Sequence, residues 1–508
     1  MAEEQSTSFA IKILQHPIIH NILVTDARSH TTELGFDSQG FIGSITSPMG
    51  RRWQLENDPE GKLLNLTNPA GSKLSFAYNA EGDMAQVTRD NQPLLQLDYF
   101  TKGYPKTITF ADHTQTQFQY TDLLKISQIT DRRHKTENYQ YDEAGDLTQI
   151  QDGNGNTTRF EYSVWNHPDT VRYADDSSES YQYNPKGLLQ RLIAGTETVA
   201  DLSYDDQNRV TEIRYSDGNH LAFSYDDQGH VTEARNNEIT VKYTYDAKDR
   251  VIQEEQGDQI VKYQYDQLGH LTGLTYPSGE KVELAYDSDS RLAFVIDWQQ
   301  HYHRFLYAEQ DEGIRQYHPN GLTSTTHLSP HGLPTQIETH GQARSFTFYY
   351  QYDAEDRVIG FEDSKFGQRT YEYDPENQLL AVKSEQASSE NFAYDGAGNR
   401  IRWNQETATF NALNQLIQQG TTHCQYDTRG NLIEIRLPNK RWHYTFNQQN
   451  LLVRAKSAHG TVVTFGYDAF GRRIWKRCGG KEVRYVWMGE TLLGEVTYQT
   501  GVPSRRQD

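Results

Sequence analysis

Tyrosine recurs in this chain at a fixed spacing. Stepping back by 21 residues from Tyr225 lands on Tyr204, Tyr183, Tyr162, Tyr141, Tyr120, Tyr99 and Tyr78, and two more equal steps reach Asn57 and Phe36. Forward, Tyr245, Tyr265, Tyr286 and Tyr307 follow at steps of 20 or 21. After an irregular stretch the register resumes at Tyr352, Tyr373 and Tyr394, shortens to 16 for Phe410 and Tyr426, and recovers at Phe446 and Tyr467. A period of this length, kept over nearly the whole chain, means one supersecondary unit copied many times, each copy burying its apolar face against its neighbours.

The repeated motif is Tyr-Asp-x-x-Gly-x-Leu. Its tyrosine, aspartate and glycine stand at Tyr141, Asp142 and Gly145; Tyr225, Asp226 and Gly229; Tyr265, Asp266 and Gly269; Tyr394, Asp395 and Gly398; Tyr426, Asp427 and Gly430; and Tyr467, Asp468 and Gly471. The pair occurs without the glycine at Tyr204-Asp205, Tyr245-Asp246, Tyr286-Asp287, Tyr352-Asp353 and Tyr373-Asp374. These residues are expected to be structural turn residues. An aspartate opening a turn accepts bonds from backbone N–H groups two residues on, and a glycine three later tolerates the left-handed backbone that closes a hairpin. Where glycine is missing, Asn208, Asp249, Asp356 or Asn377 stands in, and these are the next-best residues at positive φ. The substitutions track backbone geometry, which a catalytic motif has no reason to do.

Between turns the sequence alternates with period two. Leu221, Phe223 and Tyr225 fall on one face, as do Val241, Tyr243 and Tyr245, and Val282, Leu284 and Tyr286, the signature of a two-faced strand. A second turn signal lies midway, as in Ser216-Asp217-Gly218-Asn219 and Pro277-Ser278-Gly279. One repeat is therefore two strands of about seven residues joined by two turns, with the tyrosines of neighbouring hairpins expected to stack into ladders. The segment Phe410–Gly420 could pass as a short helix, but its place in the register favours a hairpin. Some 22 such repeats make a strip roughly 210 Å long and about 25 Å wide. Twist coils such a strip, and coiling hides its edges; at a diameter of about 35 Å it makes roughly two turns. The predicted fold is all-β: an array of antiparallel hairpin repeats coiled into a hollow spiral shell, an incomplete cocoon. The expected limits are a leader of uncertain structure at 1–26, the shell at 27–496 and a polar tail at 497–508.

Composition agrees with a thin wall. Apolar residues make up only 35% of the chain, yet it holds 33 tyrosines and 20 phenylalanines, far too aromatic for a disordered segment. The net charge of −20 opposes binding to nucleic acid. Cys424 and Cys478 cannot staple a chain of this size and lack any zinc or redox spacing. The N-terminus lacks a basic n-region with a clean apolar stretch, and no segment is apolar for the length of a membrane span.

Other candidates for chemistry are weak. The Tyr-Asp pairs are usable acid–base groups, but many copies of one turn are not many active sites. His301 and His303 share a strand face, as two metal ligands would, without a third ligand in sequence. His16 and His20 flank Pro17 and read as a loop. Gly479-Gly480-Lys481 is too short for a phosphate cradle. Asp287, Asp289 and Ser290 faintly suggest a calcium loop but lack its glycine and distal glutamate. No catalytic residue, cofactor or metal is expected.

The run of these motifs from about Ala27 to Val496 resembles the YD-repeat, or Rhs, family, which includes bacterial Rhs polymorphic toxins, the C subunits of insecticidal toxin complexes and the teneurins. "RYVWMGETLLGEV" is similar to the segment near the end of an Rhs core. The resemblance implies a β-shell enclosing a toxic domain until delivery, in Rhs effectors commonly by type VI secretion. Full bacterial members carry an Asp-Pro-x-Gly-Leu segment for autoproteolysis and then a toxin. Here the Asp-Pro pairs, Asp58-Pro59 and Asp374-Pro375, fall in repeat turns. The chain thus reads as a truncated or orphan core, or one piece of a split system. The expected role is non-enzymatic encapsulation, cytoplasmic before export, with partners among a toxin cargo, a remaining core segment on another chain, and a secretion tip or chaperone. The alternative is a cell-surface module binding glycan or protein through its tyrosine-rich faces.

Overall fold

The computed structural model describes residues 10–13, 21–163, 166–308, 312–342, 345–499 and 502–503. The regular elements among them are β-strands, most of five or six residues, paired antiparallel with their neighbours in sequence. The strands fall short of seven residues because each turn consumes more of the 21-residue period than a two-residue loop would. Strands Ala10–Ile13 and Asn21–Thr25 continue the ladder at one end, and Thr491–Gln499 and Val502–Pro503 at the other. The segment at 410–420 is a hairpin, with strands Glu406–Phe410 and Leu416–Gln419. His16, Pro17 and His20 lie outside the described residues.

One repeat shows how the motif works. Strand His220–Tyr225 pairs with Val231–Arg235, and the register slips by one residue between Ser224 and Tyr225. The same slip precedes Tyr141, Tyr204, Tyr245, Tyr286 and Tyr373; such a bulge bends the strand and re-aims its side chain. The tyrosine hydroxyl then donates to a backbone carbonyl in the preceding hairpin: Tyr225 to Val210 at 2.7 Å, Tyr204 to Leu189 at 2.6 Å, Tyr467 to Leu452 at 2.7 Å. In the turn, the Asp205 carboxylate accepts the N–H groups of Gln207 at 3.0 Å and Arg209 at 2.8 Å. The fourth residue is left-handed, at φ 98° for Gly229 and at 65°, 61°, 64° and 63° for Asn208, Asp249, Asp356 and Asn377.

The tyrosine ladder is corrected. Neighbouring hairpins lie two strand spacings apart, about 10 Å, while aromatic rings pair at about 4.5–7 Å. In several repeats the gap is filled by the last residue of the turn, which lies over the next tyrosine: Arg209 over Tyr225 at 4.6 Å, Arg291 over Tyr307 at 4.2 Å, and His230 and His270 on Tyr245 and Tyr286 at 4.8 and 4.7 Å. The other end of that side chain returns to its own turn aspartate, as in Arg209 to Asp205 at 2.7 Å and His230 to Asp226 at 3.0 Å. In these repeats tyrosine, aspartate and the arginine or histidine that ends the turn form one chain of contacts.

The core is thin. Ala234, Val241 and Val261 are fully buried, and Ile213, Tyr215, Phe223 and Val231 pack half-buried against a cluster of Leu221, Ala234 and Ala469. The chain divides into two compact units, residues 1–135, 264–275 and 279–391, and residues 136–263, 276–278 and 392–508. Each combines an early and a late stretch of the strip. Replacing Asp226 with alanine removes the acceptor of the His230 N–H and should loosen the turn locally. Amide exchange at His230 is expected to quicken, while Asp227→Ala, at the exposed next position, leaves it unchanged.

Candidate functional site: the seam between windings

A hairpin strip has two edges, one lined by Tyr-Asp turns and one by mid-repeat turns. Within each unit the mid-repeat turns of the early stretch meet the Tyr-Asp turns of the late stretch, at separations from 218 residues (Glu254 to Arg472) to 267 residues (Arg89 to Asp356). Those separations correspond to roughly ten to thirteen repeats of the strip.

In the first unit this seam is ionic. Asp289, with its side chain 1% exposed, accepts Arg51 Nε at 2.7 Å, the Ser47 hydroxyl at 2.8 Å and the Met49 N–H at 2.9 Å. Arg89 grips Asp356 through two bonds of 2.7 and 2.9 Å. Arg132, only 6% exposed, reaches Glu355 at 2.6 Å and Asp112 at 2.8 Å, and its N–H donates to Glu376 at 2.8 Å. Arg28 pairs with Asp266 at 3.3 Å. Such bidentate guanidinium–carboxylate contacts fix register as well as adding energy. Burial alone would raise the Asp289 carboxyl; the bonds from Arg51, Ser47 and Met49 outweigh it and hold the group below its ordinary 3.8.

The seam of the second unit uses amides, close backbones and one buried charge cluster. Asn154 donates to Asp395 at 2.9 Å, Asn414 to Asp152 at 3.0 Å, and Gln256 exchanges bonds of 2.7 and 3.1 Å with the Trp487 backbone. Gly153 has to be glycine, because a Cβ there would sit 2.2 Å from the Gly396 carbonyl oxygen. At the centre, Arg472 binds Asp468 and Glu254, each at 2.7 Å, with side chains 3%, 0% and 1% exposed. Tyr243 and Tyr263 each donate to Glu254 at 3.2 Å, and Arg472 donates to the Gly489 carbonyl at 2.8 Å. Burial works against the Arg472 charge, but Asp468 and Glu254 more than offset it and hold the guanidinium above its ordinary range. Burial raises Asp468, and Arg472 only partly opposes it. Tyr243 is likewise pushed up, chiefly by burial.

The other sequence candidates resolve into turns. Asp287 caps its own turn through the N–H groups of Asp289 and Arg291, both at 2.9 Å, while Asp289 serves the seam, so the calcium-like spacing belongs to two separate tasks. His301 pairs with its turn aspartate Asp297 at 3.1 Å, whereas His303 lies in a strand with its ring 6.1 Å from that of His318. Gly479 and Gly480, both at positive φ, turn the chain between strands Arg473–Cys478 and Lys481–Met488. No group of three His, Cys, Asp or Glu side chains among the described residues is arranged to hold a metal. Sequence reasoning missed Arg51, Arg89, Arg132, Glu254 and Arg472. The signal present was modest: arginine recurs in the mid-repeat turns before residue 135, and acids stand three residues after the motif tyrosine at Asp289, Glu355 and Glu376.

Two outcomes follow from this geometry. Arg472→Ala strands two buried carboxylates and should cost about 3–5 kcal/mol, whereas Arg209→Ala, in an identical but more open pair, should cost about 1 kcal/mol or less; thermal unfolding midpoints compare them. Because Asp289 is depressed in the folded state, its contribution is present above its unfolded value of 3.8 and is lost as pH falls through the folded value. Asp289→Asn should therefore lower stability at neutral pH and flatten its decline below about pH 4.

Comparison with known proteins places this geometry. The sequence model of the Teneurin YD-shell matches residues 74–199, 194–364 and 357–488. "Probable deoxyribonuclease RhsA" of Dickeya dadantii (strain 3937) is 36% identical over 94 residues, 17% of this chain and 7% of that protein. "tRNA nuclease WapA" of Bacillus subtilis (strain 168) is 33% identical over 95 residues, 18% of this chain and 4% of that one. Among solved structures, the TcdB2-TccC3-Cdc42 crystal structure superposes on 96% of this chain with a TM-score of 0.71 at 13% identity, and the Photorhabdus luminescens Tc holotoxin pore with TccC3-D651A gives the same values. This chain spans 30% of the length of each of those shell chains. Its hairpin strip has their fold, and the chain belongs to the Teneurin YD-shell family.

Proposed function

We propose that residues 27–496 form wall of an encapsulating shell of the Rhs polymorphic-toxin type, a non-enzymatic scaffold that encloses, or helps to enclose, a toxic effector until delivery. The cargo and the remaining wall come from another chain or from a further length of polypeptide. A type VI-like apparatus, with its tip or chaperone proteins, carries the product from the cytoplasm in competition between bacteria. The observation that carries this reading is the seam: a strip that returns against itself after one winding and locks there with buried ion pairs has the construction of a wall. The repeat chemistry supports it, because the aspartates are occupied by their own turns and the tyrosine hydroxyls by backbone carbonyls. The same commitment weighs against a glycan-binding module built on the motif tyrosines.

Electron microscopy of the purified chain tests the proposal. Curved particles with a two-winding wall around an open interior are expected; compact solid particles or straight rods would overturn it. Intact-mass measurement after prolonged incubation should return a single species of 58.6 kDa, and spontaneous fragments would contradict the non-enzymatic role.

A further inference from the structure

The seam of the first unit uses the mid-repeat turns up to residue 135 and the Tyr-Asp turns after residue 264. The Tyr-Asp turns between residues 37 and 125 make an edge outside that seam. This edge is exposed: Leu123 at 61% and the Glu60 side chain at 77% in the turns, and Phe100 at 62% near the end of strand Gln92–Thr101. Their counterparts in the seam are not, with the Asp289 side chain at 1% and Asp374 at 8%.

Two of the five turns on this edge repeat the chemistry of the closed one, while Gln39, Lys102 and Leu123 hold the same place in the other three. Glu60 and Glu81 lie three residues after Asn57 and Tyr78, the place held in the seam by Asp289, Glu355 and Glu376 after Tyr286, Tyr352 and Tyr373. In the seam that place accepts the Arg51 and Arg132 guanidinium groups and the Arg132 N–H. On the outer edge Glu60 meets Lys62 of its own turn at 3.4 Å, Asp122 is exposed, and Phe100 lies against Tyr120 at 6.1 Å with its outer surface open. Exposed apolar tips between acidic ones are what an arginine-bearing turn row covers, with its aliphatic stems on the former and its guanidinium groups on the latter.

We propose that the Tyr-Asp-turn edge of residues 37–125 docks a further winding of hairpin repeats whose mid-repeat turns carry arginine, supplied by a second polypeptide. The inference rests on the wall reading and names the partner's contacting chemistry. A second copy of this chain is a poorer occupant. In the first unit the arginine-bearing turns are already seated in the seam, and the outer mid-repeat turns of that unit carry Asp297, Asp363 and Glu385.

The test uses the full-length chain and a backbone-cyclised hairpin peptide with the sequence of residues 126–141, which presents the seam turn Asp131–Lys135. The peptide carries a fluorophore and a photo-cross-linker. Saturable binding is expected, with cross-links in residues 58–83. Combined Glu60→Lys and Glu81→Lys should weaken it about tenfold or more, while Glu385→Lys leaves it unchanged. A peptide with Arg132→Glu and Arg133→Glu should not bind. Far-ultraviolet circular dichroism and melting midpoints establish that each variant is folded. Absence of binding, equal binding by all variants, or cross-links confined to residues 355–378 would overturn the proposal. If microscopy shows a curved wall and the peptide fails, only the docking edge falls; a solid particle removes the wall reading first.

Discussion

A hairpin of two short strands buries too little apolar surface to stand alone in water, and the structure of this chain answers that constraint at three ranges. Within a turn, the aspartate carboxylate and a left-handed fourth residue satisfy the backbone. Between adjacent hairpins, the tyrosine hydroxyl reaches back to a carbonyl while, in several repeats, the arginine or histidine that ends a turn covers the next tyrosine. Across a whole winding, arginines and amides of one edge meet carboxylates of the other. Each range supplies partners for polar groups that the one before leaves open, so a chain with only 35% apolar residues still forms a continuous sheet.

The longest range differs in kind. Local ties repeat with the sequence period and are individually modest. The seam is irregular: bidentate ion pairs at Arg89 and Arg132, a close glycine pair at Gly153 and Gly396, and a fully buried triad at Glu254, Asp468 and Arg472. Asp205–Arg209 and Asp468–Arg472 have the same spacing and the same 2.7 Å contact. What separates them is the second carboxylate, Glu254, brought from another winding, and the loss of water around all three. Identical local chemistry thus becomes a turn clip in one repeat and a structural lock in another.

This division explains how much was legible beforehand. Tyr225, Asp226 and Gly229 could be read as a turn because every force on them comes from residues within one repeat, and Asn208 and Asp249 stood in for glycine for a reason visible in the sequence. The same logic placed Phe410–Gly420 as a hairpin rather than a helix. The expected tyrosine ladder failed on a distance, since rings one repeat apart cannot touch. His230, at a position the Tyr-Asp-x-x-Gly-x-Leu motif leaves unspecified, is the spacer that fills that gap against Tyr245. Asp289 suggested a cation loop because its partner, Arg51, lies 238 residues away, an interval set by strip curvature, for which a single sequence carries no local code.

The account stands on the claim that the strip returns to meet itself after one winding. In a background with Cys424 and Cys478 replaced by serine, cysteines at Asn154 and Asn414, whose side chains approach to 3.5 Å across 260 residues, can be treated with a short bis-maleimide. The predicted result is a rapid intramolecular link between positions 154 and 414, found by peptide mass mapping and abolished in denaturant. Links formed at the same rate by a control pair within the same unit, Asn154 with Gln449, whose own seam partner is Asn219, or no link between 154 and 414 in the folded protein, would contradict it.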